Sequence, residues 1–262
     1  MSRQAILSTI DLSVGYRNGS RVTTVLEHIN VSLYEGEVVC LLGANGVGKS
    51  TLLRTISGVQ LSLEGKIEIM GKDLSQYSSK EMSKLVGIVY TDRTLVGALT
   101  VEELVSLGRQ PYTGFFGRLD AEDHRVVHHA IESVGMTHKL YDYVATLSDG
   151  ERQKVMIARA LAQETPIIIL DEPTAFLDVA SRIETMQLLR ELAHSQRKAV
   201  LLSTHDVGLS LPLTDRLWLV FPSTRVVEGC TSQLVNDGSL NNIFPNRNVT
   251  FDSIVMDFRP VE

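Results

Sequence analysis

Residues 43 to 51, Gly43-Ala44-Asn45-Gly46-Val47-Gly48-Lys49-Ser50-Thr51, stand directly behind the apolar run Val38-Val39-Cys40-Leu41-Leu42. An apolar run without alternation fits a strand covered on both faces. After the glycine-rich turn, Leu52, Leu53 and Ile56 recur at helical spacing toward a stop at Gly58. A strand, a turn of small residues and a helix in that order leave backbone N–H groups free to surround an anion, and the helix adds the positive end of its dipole. The stretch therefore reads as a cradle for the phosphates of ATP or GTP. Gly43 to Gly48 form the turn, Lys49 reaches the outer phosphates, the Ser50 hydroxyl coordinates Mg2+, and Thr51 continues the helix.

The rest of the chain bounds the class. A length of 262 residues with 44% hydrophobic content suffices for one large domain or two interlocked subdomains. A formal net charge of −6 argues against a broad nucleic-acid footprint, so no nucleic-acid partner is expected. Met1-Ser2-Arg3-Gln4-Ala5 lacks the apolar stretch of an export signal, and no apolar run approaches the ~20 residues that span a bilayer. Two cysteines, Cys40 and Cys230, are too few for a disulfide framework, and a reducing cytosol is expected.

Short strands are expected at Ile6 to Val14, Val22 to Ile29 and Val38 to Leu42, a small antiparallel sheet feeding the first core strand. Further strands are expected at Lys66 to Gly71, with a turn after it, and Leu85 to Tyr90. From Thr100 to Ala162 the spacing turns helical, with Thr100-Val101-Glu102-Glu103 in capping-box form. Strands at Ile167 to Leu170, Ala199 to Ser203, Leu217 to Phe221 and Arg225 to Glu228 then flank a helix from about Ala180 to His194. Alternation of this kind predicts a mostly parallel sheet with helices on its faces.

A second motif, Ile167-Ile168-Ile169-Leu170-Asp171-Glu172-Pro173, ends a buried strand in two acids, at the sheet edge where open α/β folds bind ligands. Asp171 there would hold Mg2+, and Glu172 would polarise a water for attack on the γ-phosphate. A third, Leu147-Ser148-Asp149-Gly150-Glu151-Arg152-Gln153, precedes a helix containing Val155, Ala158 and Leu161. Ser148 and Glu151 are spaced as a capping box, and a serine hydroxyl, a glycine and a helix N-terminus together suit an anion.

In this order the motifs resemble those of ATP-binding cassette (ABC) ATPases, whose signature usually reads Leu-Ser-Gly-Gly-Gln. The match runs from about Leu12 to Val220. It implies an α/β P-loop NTPase with a mostly parallel RecA-like core sheet, an N-terminal antiparallel β subdomain and an inserted α-helical subdomain. Residues 1–230 would form the nucleotide-binding domain, with the helical part at about 95–163, and 231–262 a C-terminal extension without a readable motif. Tyr16 falls where the family places an aromatic that stacks on adenine, Phe176-Leu177-Asp178 looks like the D-loop, and His205 resembles the switch histidine that contacts the γ-phosphate and the attacking water. The resemblance gives Lys49, Glu172 and His205 catalytic roles. ATP would be held by Tyr16, Gly43 to Thr51 and, from a second copy of the chain, by Ser148, Gly150 and Glu151. Mg2+ would sit on Ser50 and Asp171.

Two departures stand out. The glutamine that the family places after the strand at Leu85 to Tyr90, as a further metal contact, is replaced in Tyr90-Thr91-Asp92-Arg93, where Thr91 takes the slot on a shorter arm. Asp149 replaces the first signature glycine, and its side chain is expected to point away from a facing phosphate.

The stretch Thr100 to Tyr112, with Gly117-Arg118-Leu119, is similar to ATPases of iron-siderophore, haem and vitamin B12 importers. That similarity implies a homodimer on the cytoplasmic face of the inner membrane. It would be peripheral beneath integral permease subunits and reach an external substrate-binding protein only through them. An exporter or lipid-transport ATPase, a non-transport ABC ATPase and a nucleotide-binding scaffold without hydrolysis are the alternatives. His124 and His128 stand four apart on a helix but lack a third ligand, and a solvated face is expected there.

Overall fold

The computed structural model describes residues 4–90, 98–114, 116–244 and 248–261. Its first strands are β1 (Leu7–Asn18), β2 (Arg21–Ile29) and β3 (Ser32–Leu33). β1 turns into β2 through Gly19-Ser20 and pairs with it in antiparallel register, Asn18 opposite Arg21 and Tyr16 opposite Thr23. The strand thus outruns its expected end at Val14 by four residues, because cross-strand pairing holds a polar tip that has no apolar alternation to announce it. β4 (Glu37–Gly43) leads through the cradle turn to α1 (Lys49–Ile56), after which β5 (Glu64–Ile69) and β6 (Lys72–Asp73) complete a sheet of order β2-β1-β5-β6, with β3 on β1.

The larger sheet is built around β4. A short helix, α2 (Ser79–Met82), precedes β7 (Val86–Val89). A helical layer follows, α3 (Val101–Ser106), α4 (Ala121–Ser133) and α5 (Asp149–Ala162). The chain then alternates β8 (Ile167–Asp171), α6 (Val179–Gln196), β9 (Ala199–Thr204), α7 (Val207–Ser210), β10 (Arg216–Val220) and β11 (Val226–Cys230). The order across the sheet is β11-β10-β4-β9-β8-β7. Every pairing is parallel except the edge strand β11 against β10. The mostly parallel sheet expected from the alternation is therefore present.

All seven residues of β4 are buried, as a strand covered on both faces requires. Its side chains alternate between two cores. Val39 and Leu41 join Trp218, Ile167 and Leu201 in the core shared with α1 and the N-terminal sheet. Val38, Cys40 and Leu42 join Leu170, Leu202 and Leu219 in the core shared with α3, α4, α5 and α6. Each fully buried leucine or isoleucine contributes on the order of 1.5–3 kcal/mol, so the sheet is rigid enough to carry chemistry at its rim. Burial also pushes the Cys40 thiol up to about 12, which makes it an unreactive core group.

The helical layer is tied down by one cation. Arg109 is almost fully buried: its Nε donates to Asp123 Oδ1 at 2.8 Å, and its Nη1 donates to Glu164 Oε2 at 2.7 Å and to the Ala162 carbonyl at 2.8 Å. It therefore joins the end of α3 to the start of α4 and the end of α5. His128 pairs with Glu102 at 2.8 Å across α3 and α4, and among the described residues no cluster of three metal-binding side chains exists.

Beyond Cys230 the chain continues as α8 (Thr231–Asn236) and a hairpin of β12 (Val249–Asp252) and β13 (Asp257–Pro260). Leu234, Val235, Leu240, Ile243 and Phe251 enter the same core as α6 and α7, and Phe258 meets Phe244 and Phe251 edge to face at centroid distances of 4.9 and 5.4 Å.

Candidate functional site

The cradle turn leaves β4 at Gly43, where an added Cβ would lie 2.8 Å from the Val220 carbonyl of β10, so the close approach of the two strands demands glycine. It ends at Gly48, whose φ of 114° is a left-handed conformation and whose added Cβ would meet Val25 at 2.5 Å. Between them Ala44 and Val47 are half-buried and Asn45 and Gly46 exposed, so the tip of the turn faces solvent. Lys49 opens α1 and folds back over the turn, its Nζ donating to the carbonyls of Gly43 at 2.9 Å and Ala44 at 3.1 Å. Burial pushes its ammonium below the usual lysine range, while the carboxylates of Glu172 and Asp171 pull it back up. Ser50 follows on the first turn of α1. Thr51 shares a hydrogen bond with the Tyr16 hydroxyl at 2.9 Å, which holds the half-exposed Tyr16 ring beside the cradle.

The acids stand at the C-terminal rim of the same sheet. Asp171 ends β8, and its Oδ1 accepts a hydrogen bond from Ser203 Oγ of β9 at 2.6 Å. Ser203 Oγ in turn accepts from the Glu172 backbone N–H at 2.9 Å. One buried serine thus fixes the carboxylate of Asp171 and the backbone of Glu172, which turns out of the sheet at a φ of 49°. His205, immediately after β9, lies with Nδ1 3.7 Å from Glu172 Oε2. Its neighbour Asp206 caps α7 and pairs with Arg182 at 3.2 Å, so the histidine's backbone is held on both sides. Lys49, Asp171, Glu172 and His205 are therefore brought together by the ends of three adjacent parallel strands, β4, β9 and β8. The role of Ser203 was hidden in the sequence, where it is one of two hydroxyl residues ending an apolar strand; the pairing of β9 with β8 sets it directly opposite Asp171.

Ser148, Gly150 and Glu151 form a second cluster at the head of α5. Ser148 caps the helix in a full capping box with Glu151, and Lys139 Nζ pairs with Glu151 Oε1 at 2.9 Å. With Lys139 and the Ser148 N–H and hydroxyl around it, the Glu151 carboxyl is pushed down to about 2. An added Cβ on Gly150 would meet Ser181 Oγ of α6 at 2.7 Å. Asp149 pairs with Arg152 Nη1 at 3.0 Å. Phe176 is exposed at a φ of 65°, Leu177 is buried and Asp178 caps α6 through the Ser181 N–H. Thr91, the remaining expected metal contact, lies outside the described residues.

Comparison with known proteins adds the family. The ABC transporter family model matches residues 26–175, more than half of the chain. The chain is 37% identical over 238 residues to the iron(3+)-hydroxamate import ATP-binding protein FhuC of Bacillus subtilis, covering 91% of this chain and 87% of that one. It is 34% identical over 232 residues to the ferric enterobactin transport ATP-binding protein FepC of Escherichia coli, covering 88% and 86%. Among solved structures, the dimeric post-hydrolysis state of the ATP-binding cassette MJ0796, bound to ADP and Pi, superposes with a TM-score of 0.73 at 28% identity over 86% of this chain and 98% of that one. The cradle, the acidic strand end and the serine-capped helix of this chain thus stand in the fold that such cassettes share, and the chain belongs to the ABC transporter family as an ATP-binding, ATP-hydrolysing subunit.

Proposed function

We propose that this chain works as a homodimer that sandwiches two ATP molecules and powers import of an iron-siderophore, haem or cobalamin-type compound through a membrane permease. The observation that carries the catalytic half is the gathering of Lys49, Asp171, Glu172 and His205 along one rim of the sheet, within reach of a phosphate chain lying in the 43–51 turn. Lys49 exchanges its carbonyl partners for phosphate oxygens. Glu172 takes a proton from the attacking water, and His205, across 3.7 Å, orients that water and the γ-phosphate. Tyr16 stacks on the adenine. The Ser50 hydroxyl and the Asp171 carboxylate are hard oxygen donors of the kind that suit Mg2+, and Mg2+ held there would neutralise charge on the β- and γ-phosphate oxygens.

Ser148, Gly150 and Glu151 belong, on this reading, to the opposite copy's nucleotide. The exposure of Ser148 at a helix N-terminus supports this, as do the exposed apolar side chains of Phe176 and Val179 around the start of α6 and the dimeric state of a related cassette. ATP and ADP differ at this junction by one phosphate, so the closed dimer is favoured by ATP and released by hydrolysis. A cleft of about 570 Å³ between α2 and the helical layer, lined by Lys80, Leu107, Pro111, Arg159 and Gln163 among others, is the surface we assign to the permease. Peripheral attachment to the inner face of the membrane follows. The import assignment rests on the named activities of the two relatives and on the Thr100–Tyr112 stretch.

The test is Glu172→Gln. Hydrolysis is expected to fall by about a hundredfold or more, while ATP with Mg2+ converts the chain to a dimer in light scattering and ADP does not. Turnover near wild type overturns the role of Glu172, and a protein that stays monomeric with ATP overturns the sandwich.

A further inference from the structure

The head of α5 carries two acids, Asp149 and Glu151, where the family's signature usually has glycine and glutamine. Each adds negative charge to a helix end that, on the reading above, receives the γ-phosphate of a facing nucleotide. Each is met by a cation. Arg152 Nη1 lies 3.0 Å from Asp149 Oδ1 on the same turn, and its Nη2 donates to the Leu147 carbonyl at 3.1 Å. Lys139 comes from outside the helix, at the end of the short 3-10 turn Thr137–Lys139, and reaches Glu151 Oε1 at 2.9 Å.

The two oxygens of Glu151 are divided. Oε1 faces Lys139, while Oε2 accepts from the Ser148 N–H at 2.9 Å and from the Ser148 Oγ–H at 2.9 Å. The serine's hydroxyl proton is thus committed to its own chain. To donate to a phosphate it must rotate away from Oε2, which leaves a carboxylate short of one donor beside an incoming anion. A carboxylate in that position is costly unless a cation remains on it.

We propose that Lys139 is a positioning residue for the ATP sandwich: by holding Glu151 through its other oxygen, it frees the Ser148 hydroxyl for the phosphate bound to the opposite copy and cancels a charge that would repel it. The inference rests on the two-copy reading of the site and assigns Lys139 a part in it. Lys139 and Glu151 are both partly exposed, so replacing them leaves the core untouched. Glutamine at 151 keeps the capping box without the charge.

The test compares Lys139→Ala, Lys139→Arg, Glu151→Gln and Lys139→Ala/Glu151→Gln, each with and without Glu172→Gln. In the Glu172→Gln background, Lys139→Ala is expected to raise the ATP concentration for half-maximal dimer formation by about tenfold, the scale of one uncompensated charge a few ångströms from a phosphate. With Glu172 intact it lowers kcat while ADP affinity of the monomer, measured by calorimetry, stays unchanged. Lys139→Arg is expected to return to within about twofold of its parent, and the double variant to within about twofold of Glu151→Gln alone, because losing Lys139 costs nothing further once the charge at 151 is gone. A Lys139→Ala protein that dimerises like its parent overturns the proposal, and so does a double variant about tenfold worse than Glu151→Gln alone, since the defect would then not be the charge on Glu151. If Glu172→Gln with Lys139 in place forms no ATP-dependent dimer, the sandwich reading fails first and takes this inference with it.

Discussion

Lys49 is buried, below the usual lysine range and held by two carbonyls of its own loop. For the phosphate role proposed for it, an ammonium kept in this position is preorganised: little side-chain entropy would remain to be lost if phosphate oxygens replaced the carbonyls. Lys49→Ala is expected to weaken ATP binding by about ten- to a hundredfold, the worth of a charged hydrogen bond or two, and titration calorimetry with ATP checks it; unchanged affinity would remove the lysine from the phosphate site. At the same scale the places of the motif residues were legible from spacing alone: Gly-Lys-Ser stands after a strand and Asp-Glu at a strand end, as expected. Their supports were not. Ser203 reaches Asp171 from the neighbouring strand and Lys139 reaches Glu151 from the turn before α5, and neither pairing leaves a periodic or local trace.

The elements divide into those that present the site and those that brace it. α3, α4 and α5 were visible as helical spacing, and the boxes at Thr100 and Ser148 were read from residues three apart and formed as read. What ties the layer together could not be read. Arg109 sits in an apolar-looking segment and finds its partners at 123, 162 and 164 only after folding. Removing it strands the buried Asp123 carboxylate without its partner, so Arg109→Ala is expected to destabilise the protein by about 3–5 kcal/mol. Urea unfolding measures this, and a loss below about 1 kcal/mol would mean that the three groups find solvent instead.

For the molecule as a whole, one mostly parallel sheet separates two cores and sets the proposed nucleotide site along a single rim. The segment after Cys230, featureless in sequence, closes one of those cores: Phe251 of β12 is buried, and Asp257 packs on Gly208, three residues past His205. Phe251→Ala is expected to cost about 3–4 kcal/mol and to lower the melting temperature by several degrees. Scanning calorimetry decides it; an unchanged melting temperature would show that the hairpin adds no stability to the core it covers.

The sequence by itself determined the family's activity and the class of fold, and it set out the candidate site residues. A phosphate cradle needs glycine, lysine and a hydroxyl in fixed succession, and strands covered on both faces must be continuous apolar runs. Both constraints act between neighbours in the chain. The tertiary structure alone decided which strands lie side by side, which serine holds Asp171, which lysine neutralises Glu151, and that the C-terminal segment belongs to the core. Those contacts join residues far apart in the chain, and one hydroxyl or one ammonium is enough to make each of them, so they leave no pattern to be read before the chain has folded.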